Sequence, residues 1–400
     1  MFLKNKVYQK TNMLDFINNF DIISVVFAAV LLLFFVVQMV YYLYFFTSVL
    51  LRNRNIRKGK IILQKNQPPV SVIICARNEQ ENLKKFLPSV LEQNYPNFEV
   101  IVVNDDSLDN TEEVLSILSQ KYSNLYYTTI PNKVKVLSPK KLAITVGVKA
   151  AKNELLVFTD ADCRPQSSDW LALMVRNFSP KTEFVLGFGD YFREKTPINH
   201  LITFDTLFIA MQYLGFAYRG FPYMGIGRNM AYRKSTFFKM RGFAGHLHIV
   251  SGDDDLFVNS AANRENTHIE CVKESKTLSV PKSSFSRWLS QKRRHLSVSP
   301  HYSAKSKRML SWEVFSRGMF YTFFTVLLLT KNWFFIIFAL SLFLIRFITQ
   351  LIIINLTAKH LGTRKFFLTI IFWEILLPLI SLYLSTVDKF FYRKKRNYWG

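Results

Sequence analysis

Asp160-Ala161-Asp162 follows directly on the apolar run Leu155–Thr159. In extended chain, residues two apart point to the same side. The two carboxylates can therefore share one hard divalent cation, which takes oxygen ligands. A second acidic group, Ser251-Gly252-Asp253-Asp254-Asp255-Leu256, packs three carboxyls together. Like charges this close raise at least one pKa unless a cation or a buried donor compensates. Such a cluster reads as a metal site, as a general base near its ligands, or as acids placed on a helix dipole.

Other groups follow the same logic. The loop Asn104-Asp105-Asp106-Ser107-Leu108-Asp109 comes after a second apolar run. Asp105 can accept hydrogen bonds from a ribose hydroxyl or a base N–H, whereas Asp109 suits a helix N-cap. Ala76-Arg77-Asn78-Glu79 ends a third run and can edge the same pocket. Lys140 and Lys141 come just after Pro139, at the start of a helix, where cations and free N–H groups favour an anion such as diphosphate. A lysine pair on a surface is otherwise simply solvated. Trp288 and Gln291-Lys292-Arg293-Arg294-His295 combine aromatic, amide and cationic groups. They suit phosphates and rings, or a basic helix on a membrane surface.

These residues need a scaffold that gathers loops. Val70–Cys75, Phe98–Val103, Leu125–Ile130 and Leu155–Thr159 are apolar enough to read as strands of a parallel sheet. Glu79–Glu92, Thr111–Tyr122 and Lys140–Ala151 read as the helices between them. Alternation of this kind predicts an α/β domain with ligands at the carboxyl ends of the strands.

Apolar segments flank that domain. Residues 22–51 contain no charged residue and read as a transmembrane helix, too long for a signal peptide. A basic linker, residues 52–67, follows and is expected to face anionic headgroups on the cytoplasmic side. The domain itself is placed at residues 68–308. Residues 309–387 form a C-terminal membrane region of two or three transmembrane helices, with 314–330 marginal in length and three the preferred count. With three, the basic tail at 388–400 ends outside; with two, Lys359, Arg364 and Lys365 do. Residues 1–21 form an N-terminal segment.

Composition agrees with this division. The chain of 400 residues carries 52 Lys and Arg against 28 Asp and Glu, a net charge of +24, yet is 50% hydrophobic. That excludes a disordered or fibrous chain. The basic residues sit beside apolar runs, and no zinc-ligand, RRM or basic-zipper pattern occurs, so a nucleic-acid partner is not expected. Cys75, Cys163 and Cys271 are never in CxxC spacing, which argues against a disulfide framework or a zinc site.

Taken in order, Ser71–Glu79, Asn104–Asp109, Lys140, Asp160-Ala161-Asp162, Asp253 and Gln291–Arg294 resemble the motifs of a membrane-bound, inverting family 2 glycosyltransferase with the GT-A fold. The resemblance covers about residues 68–300. It implies that Ala76, Asn78, Glu79 and Asp105 hold the nucleoside of a nucleotide-sugar donor, with UDP-sugars favoured. It implies that Asp160 and Asp162 hold Mg²⁺ or Mn²⁺ on the diphosphate, with Lys140, Gln291 and Arg294 beside it. The general base falls on Asp253, with Asp254 the alternative, because Gly252 replaces the family's glutamate. Gly225–Arg233 is similar to the glycine-rich strand near the acceptor, so Asn229 is expected to contact acceptor or product, and Trp288 is expected to do so in partial place of the family tryptophan that His295 replaces. His295 replaces the tryptophan of the processive members' Q-x-x-R-W motif. The implied activity is sugar transfer to a lipid-linked or glycan acceptor at the cytoplasmic face of a bacterial inner membrane. A processive polysaccharide synthase is the alternative, and a non-catalytic, membrane-anchored binding protein is the alternative of another class.

Overall fold

The computed structural model describes residues 22–131 and 138–387. These divide into two compact units. One comprises residues 45–307 with the chain from 353 onward, and contains the α/β domain. The other comprises residues 22–44 and 308–352 and is wholly helical.

In the α/β unit four strands run parallel: β1 (Val70–Ala76), β2 (Phe98–Asp105), β3 (Leu125–Ile130) and β4 (Leu155–Asp160). They are joined by α3 (Gln80–Leu91), α4 (Thr111–Lys121) and α5 (Pro139–Ala150). The expected elements are present, within one or two residues at their ends. Buried β-branched residues such as Val72, Ile73, Val100, Val102 and Val157 make the runs strands, because the sheet is covered on both faces. Gly147 of α5 lets that helix close on β1; a Cβ there would meet Ile73 Cγ2 at 2.7 Å.

The sheet continues beyond β4 with β8 (Met230–Arg233), β6 (Phe184–Leu186) and β9 (Thr267–Ile269), giving the order β3-β2-β1-β4-β8-β6-β9. Strand β8 runs antiparallel to β4. A three-stranded sheet of β5 (Cys163–Pro165), β10 (Thr277–Ser279) and β7 (Gly189–Tyr191) lies apart from it. After β3 the chain returns to the other side of β1 to place β4. The strand order therefore reverses between β1 and β4, the point where open α/β sheets bind ligands.

The sequence reading did not anticipate helix α7 (Pro197–Tyr218). Pro197 opens it, and the Thr196 side chain caps it by accepting from Asn199 N–H, a contribution of about 1 kcal/mol. It is apolar on nearly every side and largely buried, so it shows no helical stripe to find.

The segment from Ile22 is one long helical run: α1 (Ile22–Val40), a π-helical stretch (Tyr41–Phe46) and α2 (Ser48–Arg57). Arg52, expected to face headgroups, is instead 2% exposed. Its guanidinium donates 3.0 and 2.9 Å bonds to the two Glu270 oxygens, and Arg176 also donates to Glu270. A buried carboxylate needs such partners, so α2 is fixed into the α/β unit by charge and not left on the membrane surface.

In the helical unit, Leu31 and Phe34 of α1 pack with Phe320 and Leu327 of α11 (Ala304–Leu328) and with Phe335, Ala339 and Leu342 of α12 (Trp333–Leu361). Gln38 Nε2 donates to Ser316 Oγ at 2.8 Å, and Arg346 donates to Gln38 Oε1 at 2.9 Å. Buried polar pairs of this kind fix helix register in apolar surroundings. By length and composition, four helices of the described residues can cross a bilayer: Ile22–Arg57, Pro197–Tyr218, Trp333–Leu361 and Thr369–Thr386. Most of the marginal stretch 314–330 falls in the later part of α11, which ends at Leu328 and is not among the four.

Candidate functional site

The strand register aligns three loops. Ala76 pairs with Asn104 of β2, and Cys75 pairs with Asp160 of β4. The carboxyl ends of β1, β2 and β4 thus open on one edge. The first two loops are tied together: Asn78 N–H donates to Ser107 Oγ, Leu108 N–H to Asn78 Oδ1, and Gln80 N–H to Asp109 Oδ2. Asn78 sits in the left-handed region, at φ 55°, which asparagine tolerates. Asp109 also accepts from Thr111 N–H and so serves the start of α4, as expected. Ala76 is 2% exposed and offers the edge only backbone. Asp105 has the Arg77 guanidinium at 3.8 Å; burial raises its pKa while Arg77 opposes the shift. Burial also raises Glu79, helped by the charges of Asp162 and Asp160, so Glu79 lies in the field of the third loop.

At that third loop, ligand atoms of Asp160, Asp162 and Cys163 lie within 4.8 Å of one another. Burial and the neighbouring Asp160 charge push the Asp162 carboxyl upward. Two carboxylates held together against this repulsion fit a divalent cation, which would relieve it. The Cys163 thiol does not fit a hard cation: its pKa is raised well above the ordinary value, and its sulfur lies 2.8 Å from Ser279 Oγ. Of the three, Asp160 and Asp162 are the oxygen donors that suit a hard divalent cation.

The acid triplet sorts itself by contacts. Asp254 caps α9 (Asp255–Ala261): its Oδ1 accepts from Asp255 N–H at 2.8 Å and its Oδ2 from Gly227 N–H at 2.7 Å. Burial and the Asp253 charge raise it to about 6. Asp255 is buried, accepts from Tyr302 O–H at 2.8 Å, and is pushed well above the carboxylate range by burial. Asp253 faces the cleft, with Lys140 Nζ 3.5 Å from its Oδ2. Gly252, at φ 84°, makes the turn that sends Asp253 there.

Lys140 donates to Asp160 Oδ1 at 3.1 Å as well. Burial works against its charge, but Asp160, Asp253 and Asp254 together hold its pKa well above the usual value. Its neighbour Lys141, one helical step round, is 1% exposed and donates to the carbonyls of His246 and Ile249 at 2.8 and 2.6 Å. Lys141 is thus not a solvated surface lysine; it holds the loop that leads to Asp253. A cavity of about 20 Å³, room for about one water, lies under this group between Thr159, Asp160, Gly227, Asp253 and Asp254.

Two further residues were missed. Arg228 lies with its guanidinium 4.3 Å from the Tyr191 ring, donates to Gly189 O at 2.8 Å and to Ser279 Oγ at 3.2 Å, and its charge favours ionised Asp160 and Asp162. Tyr191 O–H accepts from Gln291 Nε2 at 3.3 Å, which ties helix α10 (Phe285–Leu296) to the same wall. The antiparallel pairing of β8 with β4 brings Arg228 there, and no local motif announces it. Arg294 is exposed, and its charge favours ionised Asp160. His295 is exposed, and burial of its ring among neighbouring groups together with the charges of Arg294, Arg228, Lys140 and Lys292 lowers its pKa.

Two expected acceptor contacts are corrected. Asn229 is fully buried: it accepts from Trp170 Nε1 at 3.0 Å and donates to Phe188 O and Ser275 O. All its amide groups serve the fold. Trp288 is 4% exposed, beneath the Lys292 ammonium. Lys292 in turn pairs with Asp205 of α7 at 2.7 Å, so Trp288 anchors α10 and offers no open ring.

Residues 71–245 match the model of the family described as glycosyl transferase family 2. The chain is 29% identical over 197 residues to a probable glycosyltransferase, YdaM, of Bacillus subtilis, covering 48% of this chain and 46% of that protein. It is 35% identical over 114 residues to glycosyltransferase AglE of Haloferax volcanii, covering 28% and 36%. It is 31% identical over 93 residues to a poly-beta-1,6-N-acetyl-D-glucosamine synthase of Staphylococcus epidermidis, covering 23% and 21%. The matches span less than half the length of each of these relatives. A solved structure, the mannosyltransferase PcManGT of Pyrobaculum calidifontis in complex with GDP-Man and Mn²⁺, superposes with a TM-score of 0.57 at 15% identity, covering 91% of this chain and 99% of that one. It shares the fold.

Proposed function

From the premise that this chain carries a family 2 glycosyltransferase domain of the GT-A fold, we propose that it moves a sugar, with inversion, from a nucleoside-diphosphate donor to a lipid-linked or glycan acceptor at the membrane face. The observation that carries this reading is the placement of Lys140 between Asp160 and Asp253. One cleft holds a carboxylate pair suited to a cation and, beside it, a carboxylate that is not committed to a backbone cap or a buried tyrosine.

The roles follow from those contacts. The acceptor oxygen bonds to the anomeric carbon as the bond from that carbon to the diphosphate oxygen breaks, and Asp253 takes the acceptor proton. General-base help of this kind contributes roughly 10²–10⁴-fold. Asp160 and Asp162 would hold a divalent cation, which when bound would supply charge stabilisation to the leaving diphosphate. Lys140, Arg228 and Arg294 add positive charge at the same end. Glu79, Asn78 and Asp105 line the nucleoside side. The bonds between the first two loops hold those residues in place before any ligand arrives.

A UDP-sugar is the first donor to try. A GDP-sugar is the second, because the superposed mannosyltransferase was solved with GDP-Man. A processive synthase is the second reading, supported by the polysaccharide synthase among the relatives; His295 in place of the motif's tryptophan speaks for single transfer. The basic residues beside the apolar helices support a cytoplasmic catalytic domain on a bacterial inner membrane. The test is a screen of nucleotide-sugars with Mn²⁺ or Mg²⁺ and membrane lipid extract. Release of nucleoside diphosphate with one donor is expected, and no release with any donor overturns the reading.

A further inference from the structure

The segment linking α12 to α13 (Thr369–Val387) is held by the catalytic unit. Lys276 Nζ donates to Gly362 O at 2.6 Å and pairs with Asp190 at 2.9 Å, both side chains being nearly buried. Arg364 donates to Glu194 O at 2.8 Å and to Asn199 Oδ1 at 2.9 Å. The link therefore lies on the catalytic side. Helix α12, if it crosses, returns to that side, which requires α11, although it is not one of the four most apolar helices, to carry the chain out.

Helix α13 then has two choices: to cross again or to stay. One of its faces is buried from the first turn to the last, at Ile370, Glu374, Leu377 and Leu384. It packs on α10 and α7, and Trp373 Nε1 donates to His200 Nδ1 at 3.1 Å. The other face is apolar and exposed at Phe372, Ile375, Leu379, Leu382 and Tyr383. A helix packed on α10 and α7 has the catalytic unit, and not acyl chains, against one of its faces. The charges agree. Lys359, Arg364 and Lys365 precede α13, and Lys389 and Arg393–Arg396 follow it. A crossing would put one of these basic groups on the far side, whereas basic residues favour one side of a membrane.

We propose that α13 lies in the leaflet on the catalytic side, its apolar face among acyl chains, and does not cross. The bilayer surface is its partner, and the C-terminal end of α13 at Val387 stays on the catalytic side. This placement also sets α10, with Gln291 and Arg294, next to the membrane surface. The inference stands whether or not the transferase reading does.

The test is labelling by a membrane-impermeant maleimide in sealed vesicles of both orientations, with full-length Lys58→Cys, Lys331→Cys and Thr386→Cys variants. The wild-type chain, whose three free cysteines are buried or half-buried, gives the baseline. A protease-cleavable tag after Gly400 reports the same side independently, should lipid shield position 386. Thr386→Cys and the tag are expected to react in the same vesicles as Lys58→Cys, with Lys331→Cys reacting in the opposite ones. Reaction of the tag or of Thr386→Cys together with Lys331→Cys would overturn the proposal. So would reaction of Lys331→Cys together with Lys58→Cys.

Discussion

Asp160 and Asp253 meet on a single ammonium: Lys140 Nζ lies 3.1 Å from Oδ1 of the first and 3.5 Å from Oδ2 of the second. Far apart in sequence, the end of β4 and the turn before α9 thus face one cleft. A catalytic scheme in which one acid site serves the leaving group and the other serves the acceptor requires this proximity.

Lys140 occupies an oxygen that a metal ion would also use. Replacement Lys140→Met should therefore raise Mn²⁺ affinity in the absence of nucleotide. It should also lower turnover by about tenfold or more, since a fixed cation near the diphosphate is lost. Calorimetric Mn²⁺ titration and steady-state rates measure the two effects; weaker Mn²⁺ binding would show that the lysine does not compete for Asp160.

Asp162→Ala removes one of the two oxygen donors. Metal-dependent donor binding and transfer should fall together. Nucleotide affinity that still responds to Mn²⁺ as in the wild type would count against a metal role for this residue.

Asn229→Ala leaves the Trp170 indole N–H and two carbonyls without their buried partner. Each group stranded in this way costs about 1–3 kcal/mol. The variant should melt several degrees lower in detergent, and its loss of activity should follow loss of folded protein. A stable variant with a raised acceptor KM would instead return Asn229 to the acceptor site.

Arg52→Ala strips Glu270 of its bidentate partner and leaves only the Arg176 cation beside it. Breaking a buried pair costs about 3–5 kcal/mol, so expression and thermal stability should drop sharply. The paired change Arg52→Met with Glu270→Met should recover part of the loss. Stability of the single variant equal to wild type would mean that the pair does not fasten α2.

Much of this was legible in the sequence because it is local. Val70–Ala76 and Leu155–Asp160 are continuous β-branched or apolar runs, and each ends in the residues that line the cleft. What escaped depends on partners distant in the chain. Nothing near Arg52 signals Glu270, and nothing near Arg228 signals Tyr191. Lys140 and Lys141 are adjacent and alike in type, yet a step of about 100° round the helix sends one into the cleft and the other under the 246–249 carbonyls. Asn229 sits in a segment similar to an acceptor strand, but the large indole of Trp170 claims its amide. Helix α7 lacked a polar stripe because both its sides are covered.

The most direct test compares Asp253→Asn with wild type, measuring transfer and metal-dependent nucleotide binding on the same preparation. Transfer should fall by roughly 10²–10⁴-fold while nucleotide binding with Mn²⁺ changes little. Transfer at the wild-type rate, or loss of nucleotide binding in step with transfer, would contradict the division of labour between Asp253 and the Asp160–Asp162 pair.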